Sequence, residues 1–395
     1  MENIAQKNFM RSVSIYSYIS GLPYFWFEEL QWSPTLIHLR NYSTRAMTIT
    51  CFIFIGMTWF LPIFTQTNWN TELIYKFILF NTLEPFLFPC IVWLWFYKNE
   101  VTELIEDLVV YAPTVYCDPG IQARMNKKAK TLVLLIVSFV GGSLSMVGLD
   151  AAIKAVKTDE VFITMISAWP DFEDKSQMAG VFRVFIYIAW FMLIFRVSGA
   201  ITIMVSLMIY TCYQFIQLQN YFCNLANIFL ESLSQSEKEK KYEESFKIGF
   251  KFHSDIIRIT RKLVKTFNVI YGTKILADVV ALSVIMFRMA HEERTLSNIL
   301  SNAGVAATML MVTGFYIWNL GDITIEADNL TSAMYMSGWE NCYGTSSKRV
   351  RKLLLVAMAQ TQNPLEIQAF GIVTVSYSLF VSIVKFSYSV FSVIV

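Results

Sequence analysis

The sequence predicts an all-α membrane protein with seven transmembrane helices, a cytoplasmic N-terminus and an extracellular C-terminus. Of its 395 residues, 55% are hydrophobic and only 16% are charged, whereas soluble chains contain about 25% charged residues. The apolar residues form long blocks, and three of these (46–71, 131–149 and 295–321) contain no charged residue. Each block can supply a helix that crosses about 30 Å of hydrocarbon. This pattern excludes a soluble globular enzyme, and the net charge of +2 gives no sign of nucleic-acid binding.

The seven helices follow from these blocks and from four further apolar segments that each contain one or more charges. Numbered in chain order as spans 1–7, they are predicted at about 43–64, 73–97, 131–152, 178–212, 268–288, 300–320 and from 367 to Val395. Ionisable residues inside a membrane span face a partner or water rather than lipid. The charged residues inside these spans are therefore expected to be paired or functional.

The orientation follows from the basic residues in the loops. With the N-terminus inside, the inner segments hold 22 Lys and Arg residues, and the outer loops with their flanks hold five. Cytoplasmic loops are enriched in Lys and Arg, so the N-terminus is predicted to be cytoplasmic.

The segments between the spans divide one membrane domain, 1–395, into parts. We assign 1–42 as a cytoplasmic N-terminal segment, 43–212 as helices 1–4, 213–266 as a cytoplasmic helical extension, 267–320 as helices 5–6, 321–365 as a cytoplasmic anchor segment and 366–395 as the last helix. Within the extension, Ser234–Ser245 is nearly all charged and is predicted to be a solvated connection. The anchor segment is predicted to form helices at 323–340 and 348–361. The apolar faces of these extensions pack either within the chain or against other subunits.

Other protein classes fit poorly. A G-protein-coupled receptor has the opposite orientation, and this chain ends at Val395 without a cytoplasmic tail. No two of the three histidines are spaced for a shared metal, and the common catalytic and phosphate-binding motifs are absent from the sequence. We therefore predict neither an enzyme nor a cofactor.

The last span carries a weakly polar stripe. Ser382, Phe386, Ser389 and Val393 follow one another at helical spacing, so they share one face. Such a stripe either packs against another helix or lines water. Lys385 in the same span favours a partner or water over lipid.

Three segments resemble insect odorant receptors. Between Tyr316 and Trp339 lie an aromatic cluster, the pair Gly321-Asp322, an acid at Glu326 and the spacing Ala-x-Tyr-x-x-x-Trp. The run from Pro364 to Ser389 is similar to the family's C-terminal signature, and 253–267 is similar to its cytoplasmic approach to helix 5. Gustatory receptors share the architecture, but their Thr-Tyr…Gln-Phe signature is not matched in the last span. The segment 213–266 is also shorter than the corresponding loop of the odorant coreceptor.

The resemblance implies a ligand-tuned subunit of an odorant-gated, non-selective cation channel, a heterotetramer with coreceptor subunits in the plasma membrane of a sensory dendrite. It implies that the last helix of each subunit lines the pore, with Val393 at a narrow hydrophobic gate and Ser389 and Phe386 below it. It also implies a pocket for a small volatile in the outer half of helices 2–6. Depth along these helices gives the candidate residues Phe80, Leu83, Ser145, Leu149, Phe182, Ile186, Met309 and Thr313. A gustatory-type channel, or a receptor that signals without conducting, is the alternative.

Two further charges have open interpretations. Arg183 either receives a ligand carboxylate or forms a salt bridge near the outer surface, with Asp150 as the candidate partner. Lys274 and Asp278 lie one turn apart on the same helix face, and a structural ion pair is the expected interpretation.

Overall fold

The structure is a computed structural model that describes residues 2–69, 71–157, 161–164, 170–171, 173–291, 296–344 and 346–394. Over these residues the chain is almost entirely helical, with one short β-hairpin. The predicted all-α class is therefore confirmed.

Eleven α-helices follow one another in the described part of the chain. They are α1 (Glu2–Ile19), α2 (Pro34–Thr65), α3 (Thr71–Phe96), α4 (Lys98–Glu106), α5 (Ala112–Val115), α6 (Pro119–Lys157), α7 (Gln177–Asn224), α8 (Gln235–His291), α9 (Leu296–Tyr335), α10 (Ser347–Thr361) and α11 (Tyr377–Ile394). A π-helical turn at Asp107–Tyr111 joins α4 to α5, and short 3₁₀ turns lie at Leu225–Leu230 and Trp339–Asn341. Strands β1 (Gln368–Ala369) and β2 (Val373–Thr374) pair antiparallel just before α11.

The first six predicted spans each fall within one of the long helices, and most of the seventh falls within α11. By length and composition, five of the described helices, namely α2, α6, α7, α8 and α9, can cross a membrane, and α11 contains a shorter apolar stretch. The second span corresponds to α3. Helices α7, α8 and α9 run well beyond the length that a bilayer needs, so each carries a rigid extension on the side predicted to be cytoplasmic.

The charged segment at the start of α8 differs from its prediction as a solvated connection. Helix α8 begins at Gln235, and Tyr242 and Glu239 in its first turns are buried. The Glu239 carboxylate accepts hydrogen bonds from the backbone N–H groups of Gly344 at 2.6 Å and Ser346 at 3.3 Å. The prediction was wrong because one face of this charged helix is covered by the segment that leads into α10.

The last helix also starts later than predicted. Residues 367–376 contain the β-hairpin, so α11 begins at Tyr377 and not at 367. The hairpin is fixed to α8: the Phe370 N–H donates to Asn268 Oδ1 at 2.7 Å, and the Tyr271 hydroxyl donates to the Gln368 carbonyl at 2.9 Å. A side chain at Gly272 would come within 2.6 Å of the Phe370 ring, so glycine permits this close approach.

The N-terminal segment forms a helix that packs into the body of the protein. Met10 and Val13 of α1 are buried, and the Ser17 hydroxyl donates to the Gly199 carbonyl of α7 at 3.0 Å. A Cβ at Gly199 would lie 2.2 Å from the Ser20 hydroxyl oxygen. Helix α1 thus lies against the middle of α7, and its burial was not predicted because it depends on the close approach that Gly199 permits.

Candidate functional site

An apolar cavity of about 120 Å³ lies between five of the long helices. Its lining residues are Leu83 and Leu87 on α3; Val140, Ser143, Leu144 and Val147 on α6; Trp190, Ile194, Val197 and Ile201 on α7; Lys274 and Ala277 on α8; and Val305, Thr308, Met309 and Val312 on α9. The four lining residues of α7 recur at helical spacing and therefore share one face of that helix. A mostly apolar lining with a few polar groups is typical of small-molecule sites in proteins.

The polar groups of the cavity wall are few. The Ser143 hydroxyl donates to the Val140 carbonyl at 3.1 Å, and the Thr308 hydroxyl donates to the Gly304 carbonyl at 2.9 Å, so both donors are used within their own helices. The ammonium group of Lys274 donates to Asp278, and it has three N–H donors in all. Among the described lining residues, Lys274 is thus the strongest hydrogen-bond donor.

Next to the cavity, Asp278 is fully enclosed between α8 and α9. Its two carboxylate oxygens accept from Lys274 and from the Thr313 hydroxyl, and Asp278 and Thr313 are at most 1% exposed. The ion pair predicted from the spacing of Lys274 and Asp278 is therefore confirmed. A buried ion pair is stable only when both charges keep their hydrogen-bond partners.

The structure brings only some of the predicted pocket residues to this cavity. Leu83 and Met309 line it. Ile186 is buried one turn before Trp190 on the same face of α7, and Thr313 lies one turn beyond Met309 and bonds Asp278 instead. The side chain of Phe80 lies outside the described residues.

The other three predicted pocket residues do not line the cavity. Ser145 follows the lining residue Leu144 but is exposed on another face of α6. Leu149 is 61% exposed and Phe182 is 38% exposed. These residues were predicted only from their depth along the membrane helices. In an apolar helix, the sequence does not distinguish the face toward lipid from the face toward a cavity. Whether any of these residues binds a ligand remains a prediction.

Arg183 does not pair with Asp150, the partner considered for a salt bridge. Its guanidinium donates to the backbone carbonyls of Asp171 and Asp174, each at 2.7 Å. Asp150 instead pairs with Lys154 at 3.3 Å. The predicted salt bridge to Asp150 is thus wrong, and Arg183 ties the loop before α7 to that helix.

Helix α11 packs on α8 by one face and leaves the other uncovered. Ile383 and Ser387 are buried, whereas Ser382, Phe386 and Ser389 are exposed. Phe386 is 60% exposed. The side chain of Val393 lies outside the described residues. Lys385 is also exposed, about half a helical turn away from the packed face. The weakly polar stripe therefore lies outside the contact with α8.

The motif around Gly321-Asp322 joins four helices. The Asp322 carboxylate on α9 accepts from the Tyr377 hydroxyl at the start of α11 and pairs with Lys128 of α6 at 2.7 Å. One turn further, Glu326 accepts from the Gln219 amide of α7 at 2.8 Å. The motif thus fixes where α11 leaves the anchor region.

Comparison with known proteins identifies the family. The sequence model described as the 7tm odorant receptor matches residues 86–388, about three quarters of the chain. The chain belongs to the 7tm odorant receptor family. This establishes a receptor family of membrane proteins and confirms the resemblance carried by the C-terminal motifs.

Individual relatives agree with this assignment. The chain is 27% identical over 178 residues to odorant receptor 49a of Drosophila melanogaster, and the match covers 43% of this chain and 42% of that protein. The structure of the insect olfactory receptor OR5 from Machilis hrabei superposes with a TM-score of 0.81 at 15% identity, covering 100% of this chain and 99% of that chain. The same receptor in complex with eugenol gives a TM-score of 0.78 at 14% identity, with the same coverage. These two structures establish the shared fold.

Proposed function

We propose that this odorant receptor is the ligand-tuned subunit of a heteromeric, odorant-gated, non-selective cation channel. The observation that carries the proposal is the apolar cavity between α3, α6, α7, α8 and α9. The coreceptor-type loop is absent from 213–266, which supports the assignment as the tuning subunit rather than the coreceptor. The partners are coreceptor subunits in a tetramer, and the site of action is the plasma membrane of a sensory dendrite, with the N-terminus in the cytoplasm.

The cavity receives a small volatile molecule that is mostly apolar. Its wall favours binding by shape and dispersion, and Lys274 offers the hydrogen-bond donor that orients a polar group. Because the Ser143 and Thr308 donors are used within their own helices, an oxygen acceptor on the ligand is favoured over a ligand that brings several donors of its own. A volatile ester, ketone or aldehyde has this chemistry. The complex of OR5 with eugenol supports binding of a small organic molecule by this fold.

Permeant cations pass through a pore lined by α11 of each subunit. The exposed stripe of Ser382, Phe386 and Ser389 supports this role, because a membrane helix with a hydroxyl-bearing face needs a neighbouring helix or water beside it. Val393 follows on the same stripe and is proposed as the gate. The ligand opens the pore to the extent that it binds the open arrangement more tightly than the closed one.

Whole-cell current recording tests the proposal. The chain is expressed with and without the odorant coreceptor, and a panel of volatile esters, ketones, alcohols and aromatics is applied. We expect an inward cation current within a fraction of a second, and only when both proteins are present. Current from this chain alone would indicate a self-sufficient channel. Surface expression of both proteins without any current, but with a second-messenger response, would contradict the channel.

Substitution of the proposed gate examines the pore directly. Val393→Ala is expected to change ion selectivity or increase the current without odorant, because a smaller side chain widens a hydrophobic constriction. Unchanged current properties in this variant would place the gate elsewhere.

A further inference from the structure

A second cleft, distinct from the ligand cavity, lies between α2, α3 and α7. It has a volume of about 440 Å³, and its wall is mostly apolar, including Ile49 and Phe52 of α2 and Leu193 of α7. Arg45 and Arg196 also line it. The ligand cavity, in contrast, has no guanidinium group among its described lining residues.

Arg196 lies at the closed side of this cleft and is fully buried. One of its N–H groups donates to the Gly21 carbonyl at 2.8 Å, while Nε and Nη1 have no acceptor in the described part of the protein. The thiol of Cys51 is a neighbour, but a thiol is only a weak acceptor. A buried guanidinium without a carboxylate is costly, so an anion beside it is expected to stabilise this region.

The cleft continues into a more polar one that adds further positive charge. This adjoining cleft, of about 390 Å³, shares Arg45 and Trp95 with the first and adds Lys98 and Asn41. Beside it, Arg40 stacks on the Tyr18 ring at 4.3 Å, and its Nε and Nη2 atoms have no acceptor in the described chain. No Asp or Glu is among the residues described as lining either cleft.

The depth of the basic groups along their helices places them at one membrane boundary. Arg45 lies 20 residues before Thr65, the end of α2, which at 1.5 Å per residue corresponds to about 30 Å. Arg196 lies 19 residues after Gln177, the start of α7, at almost the same depth. Since about 30 Å is the thickness of the hydrocarbon, both lie near the inner boundary in the predicted orientation. Anionic lipids are concentrated in the cytoplasmic leaflet.

We propose that this groove binds one anionic glycerophospholipid of the cytoplasmic leaflet. The phosphate and the headgroup lie against Arg45 and Lys98, with the charge of Arg196 behind them, and one acyl chain follows the apolar wall along Ile49 and Phe52. Charge complementarity selects an anionic headgroup, and the apolar continuation selects a lipid over a soluble phosphate compound. The bound lipid links α2 to α7 and to the end of α1 through Arg196 and Gly21.

Native mass spectrometry of the purified full-length protein in detergent tests this inference. The protein is titrated with phosphatidylserine or phosphatidylcholine, and the affinity for the first bound lipid is compared. We expect phosphatidylserine to bind at least about tenfold more tightly, because several basic groups contribute to its binding. Equal affinity for the two lipids would overturn the proposal.

Substitutions locate the site. Arg45 and Lys98 are exposed, so their replacement should not impair folding. Each charge removed is expected to weaken phosphatidylserine binding about fivefold, and Arg45→Gln combined with Lys98→Gln about 25-fold. Lys352→Gln removes an exposed charge on α10 and serves as the matched control, for which no change is expected. An equal loss in the control would show non-specific attraction and contradict the site.

The deacylated headgroup, glycerophosphoserine, distinguishes a lipid from a free phosphate compound. If it displaces the lipid at equal concentration, the acyl chain contributes nothing and the occupant is not a membrane lipid. We expect no displacement under these conditions. None of these measurements depends on odorant binding, so their outcome is independent of the proposed channel function.

Discussion

The Ser283 hydroxyl of α8 is shared between the Val279 carbonyl of its own helix, at 2.8 Å, and the Ser387 carbonyl of α11, at 3.2 Å. Likewise, the Ser387 hydroxyl is shared between the Ile383 carbonyl of α11, at 2.8 Å, and the Val279 carbonyl of α8, at 3.3 Å. The same helix lines the ligand cavity through Lys274 and Ala277. Helix α8 therefore contacts both the cavity and the proposed pore helix, within fewer than four turns of chain. Under the proposed function, a shift of α8 on ligand binding would be passed to α11 through this contact.

Removal of this contact should weaken the response to odorant. Ser387→Ala deletes a hydroxyl that bonds across the two helices, a loss of about 1 kcal/mol, which corresponds to about a fivefold increase in the odorant concentration for half-maximal current. Dose–response curves with the coreceptor measure this shift. Ser254→Ala, at an exposed position of α8 outside the cavity and the proposed pore, is the control and should not shift the curve. A normal curve for Ser387→Ala would remove this contact from the coupling route.

The ion pair of Lys274 and Asp278 at the cavity wall should be needed for stability as a pair. Lys274→Met leaves the carboxylate of Asp278 buried without its cation, which is expected to cost about 3–5 kcal/mol. Lys274→Met combined with Asp278→Leu should recover most of this loss, since no unpaired charge remains. Thermal unfolding in detergent distinguishes the two variants. A double variant as unstable as the single one would show that the pair is not the cause.

The same double variant examines ligand selection. Without the Lys274 donor, the preference for a volatile ester over a hydrocarbon of equal size should fall by about five- to tenfold, the value of one hydrogen bond in the cavity. The ratio of half-maximal concentrations for the two ligands is the measurement. A ratio equal to that of the unmodified receptor would exclude Lys274 as the orienting group.

Glu239 should make the anchor region sensitive to acid. Burial acts to raise the pKa of its carboxyl group, but hydrogen bonds from the Gly344 backbone, the Gln235 amide and the Ser346 backbone outweigh burial and lower the pKa. Because the pKa is lower in the folded state, the charged carboxylate stabilises the protein at pH values above its unfolded-state pKa, near 4.5. This stabilisation is lost as the pH falls through the folded-state pKa. Glu239→Gln should therefore lose about 1–3 kcal/mol at pH 7.

Melting temperatures at several pH values check this prediction. The difference between the unmodified protein and Glu239→Gln should narrow below pH 4.5, while Glu244→Gln, at an exposed position of the same helix, should match the unmodified protein throughout. A constant difference across the pH range would mean that the charge of Glu239 is not what holds the loop.

Lys385 should reduce cation flow through the proposed pore. It lies on the uncovered face of α11, and a positive charge beside a cation pathway repels the permeant ion. Lys385→Ser is expected to raise the unitary conductance by about a factor of two. Lys385→Arg keeps the charge and should leave the conductance unchanged. Identical conductance in all three channels would show that the lysine faces away from the pathway.

The membrane helices could be predicted from sequence because a span needs about 20 apolar residues, and few other structures require such a run. The packing of α1 could not be predicted, because it depends on Gly199 of α7, which lets the backbone of α1 approach closely. The hairpin before α11 has two residues in each strand and leaves no periodicity in the sequence. Its position is fixed by Asn268 and Tyr271, which are about 100 residues away in the chain.

The cavity could be predicted only in part for a related physical reason. A helix in lipid is apolar on all sides, so the sequence does not show whether Leu144 or Leu149 lines the cavity. Only the positions of the neighbouring helices distinguish the two residues. The charged residues predicted contacts better than the apolar residues did. The spacing of Lys274 and Asp278 indicated a buried pair, and Asp322 in the family motif joins three helices.

A tryptophan placed in the cavity tests most directly whether the ligand acts there. Met309→Trp fills part of the space that the ligand would occupy, whereas Leu149→Trp adds a similar side chain on an exposed surface. Odorant-evoked whole-cell current is recorded for both variants with the coreceptor, after equal surface expression is established. We expect Met309→Trp to abolish the current or shift the half-maximal concentration by more than about tenfold, and Leu149→Trp to respond normally. A normal response from Met309→Trp, together with a lost response from Leu149→Trp, would contradict the cavity as the odorant site.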